Sequence, residues 1–143
     1  MSSLSLFLKK NKKVKSNTKY AATKSLCNED GSPLEWEIKP LTTSETENIR
    51  EACTTEVQVT GKPGMYRAKT DSSAYIAKLI CASVVEPDLY NKELQDSYDV
   101  RTPEDLLREL VDDPVEYNAF AMFVQNFNGM DETMDDKVAA AKN

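Results

Sequence analysis

Three helix-start signals follow one another between Asp71 and Pro114, and apolar residues at helical spacing follow each of them. Asp71 opens DSSAYIAKLICASVVEP, where Ile76, Leu79, Ile80 and Val84 share one face. A side-chain oxygen at the first position satisfies backbone N–H groups that have no partner inside the helix. The spacing predicts a helix running to Glu86 and stopped by Pro87. Thr102-Pro103-Glu104-Asp105 combines an N-cap, a proline at the first helical position and an acidic first turn, and Leu106, Leu107 and Leu110 form the buried stripe that follows. Asp113-Pro114 repeats the signal. The helix after it sets Tyr117, Phe120, Val124 and Phe127 on one face, flanked by Met122 and Phe123, with Gly129 as its C-cap. A shorter helix is predicted around Leu94. Successive amphipathic helices must bury their stripes against something, so the C-terminal half is expected to carry the core.

The N-terminal half has the shorter period of strands. Residues 17 to 39 read as a hairpin, with a turn cluster from Asn28 to Pro33 and an alternation of Leu34, Trp36 and Ile38 that puts Trp36 on a buried face. Pro40 closes the second strand. Overlapping capping boxes, Thr42 with Glu45 and Ser44 with Glu47, then start a helix carrying Ile49, Ala52 and Cys53 that ends near Thr54 and Thr55. Gly61, Pro63 and Gly64 form a loop leading into MYRAK, a third strand. At 143 residues the chain has room for one core. The fold class is therefore α+β: a small N-terminal antiparallel sheet with about five helices, the helical C-terminal half dominant. Residues 1 to 15 read as a flexible basic arm, 16 to 129 as a single domain, and 130 to 143 as a flexible polar tail.

The residue inventory removes most chemistry. There is no histidine, so a serine or cysteine nucleophile has no imidazole base and the common triads are excluded. Cys27, Cys53 and Cys81 are widely spaced, form no CxxC, and read as reduced thiols rather than zinc ligands. Glycines at 31, 61, 64 and 129 cannot build a phosphate-cradling loop. NEDGS lacks the alternating ligands and closing glutamate of a calcium loop and reads as a turn. The carboxylates between Glu86 and Glu116 fall at helix starts and on exposed faces, where they solvate the surface. No catalytic residue, metal or cofactor is predicted, and the chain reads as a non-enzyme.

Charge is polarised along the chain. All seven charged residues before Glu29 are lysines, which leaves eleven basic residues against twenty-four acidic ones in the remainder. Such an arm seeks an acidic partner or folds back on the acidic half of its own chain, and self-association is a further option. Nucleic acid is not the predicted partner, because only Phe7 and Tyr20 could stack on bases and no binding motif follows. No apolar run approaches the ~20 residues that cross a bilayer, so no membrane is predicted either. Lysines placed after the apolar stretch ending at Leu8 reverse the order of a secretory signal, and the expected location is the cytoplasm. The apolar arc of the last helix is wider than one core stripe needs. Met122 and Phe123, with Phe127, are the candidate partner-binding residues.

The lysine-rich LSLFLKKNKK, the hairpin with LEWEIKPLT, the PDL to ELQDSY stretch from Pro87 to Tyr98, and TPEDLL to EY from Thr102 to Tyr117 resemble the XkdN-like tail assembly chaperones of Bacillus-type phages and prophages. The resemblance spans about residues 4 to 129. Asp99 stands before Val100 where that family favours glycine. The resemblance implies a protein of the bacterial host cytoplasm that coats the phage tape measure protein, keeps it soluble while tube subunits polymerise around it, and is absent from mature virions. It names no catalytic residues. The competing reading is a structural tail completion or connector protein retained in the virion. The resemblance also implies a frameshifted long form able to recruit the tail tube protein, for which Ala141-Lys142-Asn143 allows an adenine-rich slippage heptamer.

Overall fold

The computed structural model describes residues 3–129. The tail expected from 130 to 143, and with it the slippage site at Ala141, lies outside those residues. Every helix of the body begins where a side-chain oxygen can cap it. Thr42 and Glu45 form the reciprocal capping box of α1 (Thr43–Ala52): Glu45 N donates to Thr42 Oγ1 at 3.2 Å, and Thr42 N donates to Glu45 Oε1 at 3.1 Å. Asp71 caps α2 (Ser72–Ser83), Asn91 caps α3 (Lys92–Ser97), Thr102 caps α4 (Pro103–Leu110) and Asp113 caps α5 (Pro114–Phe127). Removing such a cap costs ~1 kcal/mol.

β1 (Thr18–Tyr20) and β2 (Trp36–Ile38) pair antiparallel, Thr18 opposite Ile38 and Tyr20 opposite Trp36. The hairpin is thus present, with a tighter inner turn closed by a bridge between Cys27 and Pro33. The third strand of this sheet is not MYRAK. It is β5 (Val84–Glu86), which pairs with the other edge of β2. The helix expected to run to Glu86 ends at Ser83, and Val84 leaves its face. Two consecutive valines favour extended backbone, the open edge of β2 supplies their hydrogen bonds, and Lys39 N donates to Ser83 O at 2.8 Å as the strands meet. MYRAK contributes β4 (Tyr66–Thr70), which pairs with β3 (Thr54–Gln58) in a separate, exposed two-stranded ribbon. β3 lies next to β4 in the chain, so that hairpin closes a short loop where a return to β2 would close a longer one.

α2 packs on α1, α4 and α5, and the sheet lies beside it. The core holds Trp36 and Ile38 from β2, Ile80 from α2, Leu106, Leu107 and Leu110 from α4, and Phe120 and Val124 from α5. Trp36 meets Phe120 edge-on, ring centroids 5.4 Å apart, which joins sheet to helix at the centre. Leu34, at the start of the alternation, is exposed. After α3 the chain turns through Asp99 at φ 57°, while Val100 N donates back to Gln95 O at 3.0 Å. This is a Schellman turn, which places a left-handed residue where glycine is favoured.

Candidate partner-binding surfaces

α5 has three faces with different fates. Phe120, Ala121 and Val124 point into the core. On a second face Phe123 and Phe127 are half-buried and belong to an aromatic column. Phe123 stacks on Tyr20 at 4.2 Å between centroids and on Phe127 at 6.0 Å. The Lys15 ammonium sits 4.0 Å from the centroid of Phe127 and donates to the Phe127 carbonyl. A cation there meets both a ring face and the negative end of the helix. Asn128 ties the same end down: its Oδ1 accepts from Leu41 N at 2.8 Å.

The third face is open. Met122 is 61% exposed, Val115 is 77% exposed, and Ala119 lies exposed between them, giving an apolar stripe at i, i+4 and i+7. The three candidate residues therefore do not form one surface. Met122 belongs to the open stripe, while Phe123 and Phe127 are covered by the segment carrying Lys15 and Tyr20. The sequence signal for Val115 was its spacing from Met122; nothing within α5 alone reveals that Tyr20 comes to lie on Phe123.

A second apolar surface lies on the sheet side. Leu26, Leu34, Trp36, Pro87, Leu94, Tyr98 and Leu110 line a cleft of about 290 Å³, and among the described residues its only charged members are Glu35 and Glu86. These residues come from separate segments, which is why sequence reading did not assemble them.

Several titratable groups outside these surfaces are held by structural partners or by burial. Lys78 on α2 and Glu104 on α4 pair at 3.1 Å, and the hydrogen bond that the ammonium donates to that carboxylate holds the lysine above its ordinary pKa. Glu45 is held below its ordinary value chiefly by the Thr42 backbone N–H of the capping box. Burial pushes the Cys81 thiol up to about 12. Cys53 is also buried, and Cys27 is exposed with its Sγ 3.0 Å from Lys24 O. Among the described residues no three His, Cys, Asp or Glu side chains are grouped to hold a metal ion, and no helix is long and apolar enough to cross a membrane.

The sequence profile of the phage XkdN-like tail assembly chaperone proteins matches residues 4–142. The chain is 25% identical over 126 residues to the phage-like element PBSX protein XkdN of Bacillus subtilis (strain 168), covering 87% of this chain and 83% of that one. It is 24% identical over 121 residues to the YqbN protein of the same organism, covering 85% and 80%. A crystal structure of YqbN superimposes with a TM-score of 0.76 at 19% identity, across 92% of this chain and 99% of that one. That likeness shows the fold.

Proposed function

The chain belongs to the phage XkdN-like tail assembly chaperone family, and we propose that it works by binding the tape measure protein along an apolar helix face and keeping it soluble until the tail tube forms around it. The observation that carries this reading is the open stripe of Val115, Ala119 and Met122 on α5. An apolar stripe at helical spacing suits an amphipathic helical partner, and methionine adapts to side chains of varied shape. Binding and release do this work without chemistry, in the host cytoplasm, and the chaperone leaves before the particle is complete.

Coexpression with the tape measure protein of the same phage is the test. The wild-type chain should bring that protein into the soluble fraction and copurify with it, and Val115→Glu with Met122→Glu should abolish both while leaving the circular dichroism spectrum and melting temperature unchanged. Retained copurification by this folded double variant would overturn the choice of surface. Recovery of the protein in purified virions at fixed stoichiometry would replace the chaperone reading with that of a tail completion or connector protein.

A further inference from the structure

The sheet-side cleft and the lysine arm are complementary, and neither has a use in the reading above. We propose that residues 4–10 of a second copy of this chain occupy the cleft, with Leu6 and Phe7 against its apolar lining and Lys9 and Lys10 beside Glu35 and Glu86. Residues 3–11 form two short 3-10 turns, Ser3–Phe7 and Lys9–Asn11, that leave Leu4 69%, Leu6 65% and Phe7 82% exposed. An apolar segment this open, followed at once by lysines, has the chemistry of a docking peptide. The cleft has the matching chemistry: it is apolar, its volume suits the anchors of a short segment rather than a long helix, and among the described residues it carries two carboxylates and no cation. Glu86 also faces Glu37 across the strand pair, a like-charge neighbour that an incoming ammonium relieves.

The path of the chain favours a second copy over the arm of the same molecule. Lys15 is held at the last residue of α5, whereas Thr23 bonds to Glu116 in its first turn. The intervening chain thus runs back along the helix for about 17 Å. Leu26, in the cleft wall, lies three residues beyond Thr23. Residues 3–11 of the same chain line no part of the cleft, and Leu6 and Phe7 stay exposed while Lys15 is anchored at the end of α5 away from Thr23. The cleft of each molecule is thus left to the arm of a neighbour.

Sedimentation velocity of the full chain over a concentration series tests this. The wild type should show a weight-average mass that rises with concentration. Leu6→Asp with Phe7→Asp, both on exposed positions, should weaken association at least about tenfold, as should Leu34→Asp in the cleft. Lys9→Glu with Lys10→Glu and Glu35→Lys with Glu86→Lys should each be monomeric alone and should associate when mixed, because only then does a reversed arm meet a reversed cleft. A wild-type chain that stays monomeric throughout overturns the proposal. So does association unaffected by the arm variants, and so does failure of the two charge-reversed proteins to associate on mixing.

Discussion

Glu116 and Thr23, 93 positions apart, are joined by a hydrogen bond of 2.8 Å from the threonine hydroxyl to the Glu116 Oε1, while Oε2 accepts from the backbone N–H of Lys24 at 2.8 Å. One carboxylate in the first turn of α5 thereby pins the loop that follows β1. Thr23 is almost fully buried, so Ser25 Oγ at 2.8 Å is the partner left to its hydroxyl when the carboxylate is removed. Glu116→Ala is expected to lower stability by about 1 to 3 kcal/mol, measured as the shift of the urea midpoint at unchanged slope. Glu116→Gln keeps an acceptor oxygen and should lose less.

The core predicts a contrast between buried leucines and the serine that ends α2. Leu79 is 1% exposed and Leu107 is 0% exposed, so Leu79→Ala or Leu107→Ala should cost about 2 to 5 kcal/mol. Ser83 is equally buried, yet its hydroxyl has no hydrogen-bond partner among the described residues. Ser83→Ala removes a desolvated polar atom and opens little space. Its melting temperature should match or exceed that of the wild type.

Thiol reactivity should separate the cysteines. With its pKa raised by burial to about 12, Cys81 stays a neutral thiol at pH 8 and should react with a maleimide only on unfolding. Exposed Cys27 should label in the native state. The sign of the linked pH effect follows from the same shift. The unfolded thiol ionises near 9.0 and the folded one only near 12, so the unfolded state loses its proton first and is favoured as pH rises. The contribution of Cys81 to stability is full below about pH 9 and lost between there and pH 12. In Cys81→Ala that part of the alkaline slope should disappear.

Asp99 holds a left-handed φ of 57° after α3. Glycine adopts that conformation without a Cβ clash. Asp99→Gly should leave stability unchanged or raise it by up to ~1 kcal/mol, read from thermal melts, whereas a β-branched residue such as valine should lower it.

What the sequence by itself determined is local. Asp71, Thr102 and Asp113 cap the helices they announce, and Leu106, Leu107 and Leu110 are buried as their spacing required, because capping and amphipathic periodicity act within a few residues of chain. The Schellman turn at Asp99 and the cap at Gly129 belong to the same class, although only the family resemblance drew attention to Asp99. Tertiary structure decided whatever depended on a distant partner. Val84 and Val85 could extend a helix or form a strand, and the open edge of β2 chose the strand. Tyr66 to Thr70 could have joined the main sheet, and the neighbouring segment Thr54–Gln58 took it instead. On α5 the flanking pair Met122 and Phe123 was divided by Tyr20, whose ring covers Phe123 and leaves Met122 in the open. Helical spacing tells which side chains share a face. Which face is covered depends on residues a hundred positions away, and that is settled only when the chain has closed on itself.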